Sequence, residues 1–201
     1  MRCFAVIGAL LTLASMSATV AAEIAARPES VQPLLVGAQV PGEVPVLTEQ
    51  GKPTTLRQAM AGRAALIIFH RGGWCPYCDM QLSELRAIEP RLRELGCQVI
   101  AITPDAPAAL RRRAAREPSG YALLSDQNLE LTQAFGIAFH VDREKLGPAA
   151  ANIKPVLPVP AVFIVDLAGV VRFQHVNPDY RVLVPRELLL AAAKASLPVS
   201  N

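Results

Sequence analysis

One stretch of the sequence constrains the fold more than any other: an apolar strand that leads into a pair of cysteines. Residues Ala64–Phe69 form a continuous apolar run with β-branched members, which predicts a strand buried on both faces. A short glycine-containing turn follows, and then Cys75 and Cys78. After them, apolar side chains recur at helical spacing from Met80 to Leu95. We therefore predict a central strand, a tight turn and a helix that begins at the cysteines.

The rest of the chain alternates strand and helix patterns. Gly96 ends the first helix, and two further strand and helix units follow it. The predicted segments are an extended stretch at 40–47, strands at 98–102 and 121–124, helices at 107–117 and 128–135, hairpin strands at 161–165 and 170–173, and a helix from 185 to about 196. Strands that alternate with helices are typical of parallel pairing through helical crossovers, so the sequence predicts an α/β fold.

Composition excludes several classes of protein. Apolar residues make up 52% and charged residues 18% of the 201 residues, which excludes intrinsic disorder. A chain of this length can bury a core without disulfide or metal staples, so the cysteines are not needed for folding. The net charge of +3 arises from evenly mixed acidic and basic residues, and such a balance does not indicate a nucleic-acid partner.

The first 22 residues differ from the rest of the chain. An apolar run from Phe4 to Ala14 follows a basic start, and small residues precede Glu23, which is the pattern of a secretory signal. A retained membrane anchor is the alternative, although the run is short for a membrane span. We predict a signal peptide at 1–22, a polar lead-in at 23–36 and one domain at 37–197, with no membrane span after cleavage. Export would place the protein in the periplasm of a Gram-negative source.

Removal of the signal would leave three cysteines, two of them close neighbours. Cys75 lies at a helix start, where unpaired N–H groups and the positive dipole end favour a thiolate. Cys78 lies one helical turn later, where its sulfur can reach that of Cys75 and close a disulfide. The third, Cys97, is predicted to be a small buried hydrophobe rather than a resolving thiol.

Three other uses of a close cysteine pair compete with redox chemistry. A zinc site would need a second cysteine pair or two histidines at ligand spacing, and His70, His140 and His175 are scattered. Haem attachment would need a histidine where Asp79 stands. A structural disulfide that closes so short a loop stabilises little. We therefore favour a redox pair that uses no metal and no other cofactor.

Side chains beside the pair supply further candidates. His70 and Arg71 stand at the carboxyl end of the predicted central strand, where either could stabilise a thiolate or orient an oxygen leaving group. Both could equally be solvated loop residues. Trp74 is predicted to shield a disulfide from water. The three arginines at 111–113 lie on a predicted helix and are interpreted as a solvated surface.

The stretch from Phe69 to Cys78, with Leu82 and Leu85 after it, resembles the peroxiredoxin-like branch of the alkyl hydroperoxide reductase and thiol-specific antioxidant (AhpC/TSA) family. Residues 123–126 with 134–136, and residues 159–166, are similar to the same family. The resemblance implies a thioredoxin-like fold with a central mixed β-sheet flanked by helices. It also implies that Pro160 lies in a cis-proline loop against the disulfide and presents backbone groups to substrate.

The sequence departs from the family at one position that bears on function. Typical peroxiredoxins carry threonine or serine three residues before the peroxidatic cysteine, where the hydroxyl helps to bind peroxide, but Gly72 occupies that position here. The Cys-x-x-Cys spacing looks instead like that of thioredoxins and glutaredoxins, which exchange disulfides. Arg172 could correspond to the distal arginine of peroxiredoxins.

Together these features predict an exported thiol oxidoreductase that cycles through a Cys75–Cys78 disulfide. It would reduce peroxides as an antioxidant or exchange disulfides, and a separate thiol electron donor would reopen the pair. A disulfide reductase or isomerase without peroxidase activity is one alternative, and a non-catalytic binding module is another. The candidate residues are Cys75, Cys78 and Arg71 for catalysis and Gly72, Trp74 and Pro160 for substrate binding.

Overall fold

The fold is described over residues 23–142 and 153–197 of a computed structural model, so the predicted signal segment lies outside the described residues. The strands are β1 (Pro45–Thr48), β2 (Pro53–Thr55), β3 (Ala64–Phe69), β4 (Cys97–Thr103), β5 (Ala122–Ser125), β6 (Ala138–His140), β7 (Val156–Pro158), β8 (Ala161–Val165) and β9 (Val171–Val176). The α-helices are α1 (Leu56–Met60), α2 (Pro76–Glu94), α3 (Pro107–Arg116), α4 (Glu130–Ala134) and α5 (Arg186–Ser196).

Seven of these strands form one mixed sheet in the order β2-β1-β5-β4-β3-β8-β9. The neighbours β3, β4 and β5 run parallel, as predicted from the alternation of strands and helices. On the other side of β3, the predicted hairpin β8-β9 joins the sheet antiparallel. Phe69, at the end of β3, pairs with Ile102 on one side and Ala161 on the other. The predicted α/β class and central strand are therefore confirmed.

The sheet separates two apolar layers, because successive side chains of a strand point to opposite faces. Along β3, Leu66 and Ile68 belong to the layer that contains α2 and α5. Ile67 and Phe69 belong to the opposite layer, where the ring of Phe69 packs 4.8 Å from that of Phe135. Burial on both faces explains why the Ala64–Phe69 run is apolar throughout. No described helix has both the length and the apolar character needed to cross a membrane.

Two predicted helices begin later than expected, for local backbone reasons. The helix expected at 128–135 spans only Glu130–Ala134, because Leu129 has a φ of +62°, outside the helical region. The final helix begins at Arg186, and Pro185 takes the capping position immediately before it. Both differences concern helix ends and leave the order of elements as predicted.

A small second sheet, formed by β6 and β7, was not predicted from the sequence. The lead-in is held against it, since Ala25 donates its N–H to Ala138 O at 3.0 Å. Further along, Gln32 donates its N–H to Gly136 O at 3.0 Å. Gly136 has a φ of +69°, and a Cβ at this position would lie 2.0 Å from Gln32 O. Only glycine therefore allows the lead-in to approach so closely.

Candidate active site

The loop after β3 delivers Cys75 to the start of α2. Cys75 is the residue immediately before the helix, and Pro76 occupies its first turn, where proline is well tolerated. The Cys75 N–H donates to Gly72 O at 3.2 Å, and its carbonyl accepts from the Asp79 N–H at 3.2 Å. The prediction that a helix begins at the cysteines is confirmed.

Two glycines shape this loop. Gly72 has a φ of +138°, and a Cβ there would lie 2.6 Å from Trp74 Nε1 and 3.0 Å from Asp105 Oδ1. The next residue, Gly73, donates its N–H to Asp105 Oδ2 at 2.7 Å. Asp105 is held in turn by Ser125, whose hydroxyl donates to the Asp105 carbonyl at 2.7 Å. The carboxylate of Asp105 thus fixes the turn before the cysteines from the loop after β4.

The two cysteines at the helix start have opposite acid–base character. Both are buried, and neither is joined in a disulfide. A hydrogen bond from the Cys78 thiol lowers the pKa of Cys75 to about 6, against the opposing effect of burial. The N–H groups of Cys78 and Tyr77 and the charge of Arg71 lower it further. The same hydrogen bond, burial and the charge on Cys75 raise the pKa of Cys78. At neutral pH the pair is therefore one thiolate beside one thiol.

Arg71 is buried among aromatic side chains rather than solvated. Its guanidinium carbon lies 5.0 Å from the centre of the Trp74 ring and 4.1 Å from that of Tyr180, distances typical of cation–π contacts. Tyr180 also meets the Tyr77 ring edge-to-face at 5.7 Å. Trp74 itself is 45% exposed, so it covers Arg71 on one side and faces solvent on the other.

His70 is also buried, with 2% of its surface exposed. Neither ring nitrogen has a hydrogen-bond partner within the described structure. Burial lowers the pKa of His70 to about 4, opposed by the charge of Asp105, with smaller effects from Arg113, Asp79 and the nearby backbone of Gly72. The imidazole is therefore neutral at pH 7, with a lone pair available on one nitrogen.

Two cavities lie beside these residues. A small one of about 30 Å³ is bounded by His70, Cys78 and His175, among other side chains. A larger open cleft of about 700 Å³ is bounded by Arg71, Tyr180 and Pro160 together with the lead-in near Arg27. Pro160 lines both cavities, one together with Cys78 and the other together with Arg71.

Residues 36–174 of the chain match the AhpC/TSA family. The chain belongs to the AhpC/TSA family. It is 33% identical to peroxiredoxin bcp of Haemophilus influenzae over 107 residues, 53% of this chain and 68% of that protein. It is 27% identical to peroxiredoxin Bcp of Escherichia coli over 120 residues, 60% of this chain and 71% of that protein.

Solved structures of this family share the fold. Peroxidoxin BcpB of Mycobacterium tuberculosis superposes with a TM-score of 0.64 at 18% identity, over 80% of this chain and 96% of the other. A peroxiredoxin-like protein of Aquifex aeolicus gives 0.66 at 19% identity, over 82% of this chain and 88% of the other. These structures confirm the predicted thioredoxin-like fold. The family match and the curated relatives confirm the prediction of a thiol-dependent oxidoreductase of the peroxiredoxin type.

The prediction of a cis peptide bond before Pro160 is wrong. None of the described peptide bonds is cis. The backbone runs in extended form from β7 into β8, with the Val159 N–H donating to Ile137 O at 2.8 Å and Pro160 O accepting from the Asn177 N–H at 3.3 Å. Backbone hydrogen bonds thus anchor the residue on each side of this trans peptide bond.

The suggested role of Arg172 as a distal arginine is also wrong. Arg172 donates from Nε to Asp166 Oδ2 at 2.7 Å. In the β8-β9 hairpin, Ala161 pairs with Val176 near the cysteines, and Val165 pairs with Val171 at the other end. Arg172 therefore stands at the end of the hairpin remote from Cys75.

The interpretation of residues 111–113 as a solvated surface fails for Arg113. Arg113 is buried and donates to Asp79 Oδ1 at 2.6 Å, one residue after Cys78. It also contacts Glu117, which pairs with Arg86 of α2. One signal in the sequence pointed to this position: Arg113 follows Leu110 by three residues and so shares its inward face of the helix.

Asp105 and Tyr180 were missed as site residues. Asp105 follows the carboxyl end of β4, and such ends of neighbouring parallel strands meet at one edge of the sheet. That rule would have placed it beside the loop after β3. Nothing local indicates Tyr180, which reaches Arg71 from the segment between β9 and α5.

Cys97 lies away from the pair. It is buried at the start of β4, where it pairs with Ala64 at the opposite end of β3 from the catalytic loop. Burial raises its pKa to about 12, so it is a neutral thiol. Within residues 23–142 and 153–197, no three cysteine, histidine or acidic side chains are grouped closely enough to hold a metal ion.

Proposed function

We propose that this protein reduces a peroxide at Cys75 and then closes a Cys75–Cys78 disulfide. The lowered pKa of Cys75 beside a neutral Cys78 thiol carries the proposal. The Cys75 thiolate attacks one peroxide oxygen and the O–O bond breaks, which gives a sulfenic acid and, after protonation, an alcohol or water. Cys78 then attacks the sulfenic sulfur, and hydroxide leaves as water.

The surroundings of Cys75 support this assignment of roles. Arg71 contributes a positive charge that is held in place by two aromatic rings. The open cleft beside Arg71 and Tyr180 offers a route for the substrate, and Pro160 forms part of its wall. A separate dithiol donor returns the disulfide to two thiols.

Mixing the reduced protein with hydrogen peroxide in a stopped-flow instrument tests the proposal. We expect reaction far faster than with free cysteine, no reaction in Cys75→Ser, and normal reaction in the matched control Cys97→Ser. In Cys78→Ser, dimedone should label Cys75 as a sulfenic acid. A wild-type rate equal to that of free cysteine would refute the peroxidase assignment.

Disulfide exchange is the second candidate, and Gly72 favours it. The residue at this position provides no hydroxyl for peroxide, and a side chain there would collide with Trp74. A protein that ignores hydrogen peroxide but reduces a protein disulfide at Cys75 would support this activity instead. The same Cys75→Ser and Cys97→Ser pair separates it from a non-catalytic binding module.

We further propose that residues 1–22 direct export and are removed near Glu23, leaving the enzyme in the periplasm. An oxidising compartment would favour the disulfide form of Cys75 and Cys78 and so require the separate donor. Expression of the full chain in a Gram-negative host, followed by fractionation and N-terminal sequencing, tests this. Recovery of uncleaved protein in the membrane fraction would favour the anchor instead.

A further inference from the structure

The proposed reaction leaves one buried group beside the cysteines unused. His70 follows β3 directly, and its backbone N–H is bonded to Ile102 O at 3.0 Å, which fixes the residue in the sheet. Its ring nitrogens have no partner among the described residues. A buried polar atom without a hydrogen bond destabilises the folded state, so its presence calls for a compensating role.

The small cavity brings His70 and the resolving cysteine together. Its walls include His70 and Cys78, and its volume of about 30 Å³ is large enough for a water molecule. A water in this cavity would relay a proton between the Cys78 thiol and the His70 imidazole. His175 is the other histidine on the cavity wall, and its Nε2 likewise has no partner.

Cys78 needs such a proton acceptor. Its hydrogen bond to Cys75, together with burial, raises its pKa, so it holds its proton at neutral pH. Only a thiolate attacks a sulfenic sulfur efficiently. The proton must therefore leave Cys78 as the S–S bond forms, and solvent reaches this buried thiol poorly.

We propose that His70 is the base that takes the proton of Cys78 as Cys78 attacks the Cys75 sulfenic acid, a role that rests on the proposed peroxide reduction. The Cys78 S–H bond breaks and the S–S bond forms as the S–O bond of the sulfenic acid breaks. The imidazolium of His70 then protonates the departing hydroxide, which leaves as water. His70 ends the step neutral, so no external acid or base is consumed.

Charged groups act on the ring of His70, whereas none acts on that of His175. Asp105, from the loop after β4, and Asp79, from α2, both stabilise an imidazolium at His70, while Arg113 of α3 and burial oppose it. For His175 on β9, burial alone acts on the ring, and it disfavours the charged form. His70 is also the cavity histidine that directly precedes the cysteine loop, and both of its ring nitrogens are without a hydrogen bond among the described residues, so the role falls to it and His175 serves as the comparison.

Stopped-flow fluorescence of Trp74, the only tryptophan in the chain, can follow both steps after mixing with hydrogen peroxide. In the wild type we expect the disulfide-closing rate to be flat between about pH 6 and pH 8, because neutral His70 is the base throughout. Below that range the rate should fall as His70 becomes protonated. Closing that is first order in hydroxide in the wild type would overturn the proposal without any variant.

The variant His70→Asn should slow disulfide closing by about 100-fold or more, while the initial oxidation of Cys75 changes much less. Its closing rate should also rise with pH, because hydroxide replaces the lost base, and a merely structural defect would not produce this change. His175→Asn is the matched variant. Equal closing rates in His70→Asn and the wild type, or slowing by His175→Asn alone, would overturn the role of His70. Absence of the first step in the wild type would instead refute the peroxidase itself.

Discussion

The hydrogen bond between the two sulfurs is the largest favourable influence on the Cys75 pKa, so its removal should be measurable. A thiol of pKa about 6 is about nine-tenths ionised at pH 7, whereas an ordinary thiol of pKa about 8.5 is only about 3% ionised. Cys78→Ala removes the thiol donor and leaves the backbone N–H groups of residues 77 and 78 and the charge of Arg71. We expect the Cys75 pKa to rise by about one unit or more. Cys78→Ser keeps an O–H donor and should hold the pKa low.

The assay is alkylation by iodoacetamide across pH, with the labelled residue located by mass spectrometry. For the wild type the Cys75 rate should fall about tenfold between pH 7 and pH 5, against about 100-fold for an ordinary thiol. Cys78→Ala should approach the steeper dependence, and Cys97→Ala should match the wild type because Cys97 is remote. Identical pH profiles for Cys78→Ala and Cys78→Ser would show that the S–H donor does not set the Cys75 pKa.

Two further substitutions test the packing around the site. Gly72→Ala forces a side chain against Trp74 at a φ of +138° and should lower the free energy of unfolding in urea by about 1–3 kcal/mol. Gly62→Ala, at a φ of +70° in open space, should cost less, and equal losses would contradict the predicted clash. Arg113→Met breaks the ion pair with Asp79 and should cost about 1–3 kcal/mol. Arg112→Met should stay within about 0.5 kcal/mol in the same assay, and equal losses would show that the ion pair is not stabilising.

The parts of the site that lie close together in the sequence were predictable. The run Ala64–Phe69 is apolar at every position because both faces of β3 are covered, and that pattern identifies a central strand. The cysteines, the glycines and the helical spacing after them all lie within one continuous segment. The position of Cys75 at the start of α2 follows from these local signals alone.

The parts that come from distant segments were not predictable in the same way. The partner of Arg113 depends on how α3 docks beside α2, which the charge of an arginine does not specify. Arg172 looked suitable because it follows Pro160 in the hairpin, but strand register carries it to the far end. Tyr180 reaches Arg71 from a segment without regular structure, so no periodicity indicates its direction.

The opposite pKa shifts of the two cysteines have a consequence for the order of the reaction. Part of what raises the Cys78 pKa is the negative charge on Cys75 and the hydrogen bond donated to it. Oxidation by peroxide converts the Cys75 thiolate into a neutral sulfenic acid, which removes the charge and weakens the bond. The loss of this charge makes Cys78 easier to deprotonate only after Cys75 has reacted. Burial of Cys78 persists and continues to raise its pKa.

A neutral residue at position 75 should reproduce this state. In a protein that begins at Glu23 and so lacks Cys3, Cys75→Ser combined with Cys97→Ala leaves one thiol, and ultraviolet titration should show Cys78 ionising with a pKa above about 8.5 because burial persists. It should nevertheless ionise at lower pH than Cys78 does in the Cys97→Ala parent, where the Cys75 thiolate is present. If Cys78 resists ionisation equally in both proteins, burial alone sets its pKa. The charge on Cys75 would then have no part in timing the attack.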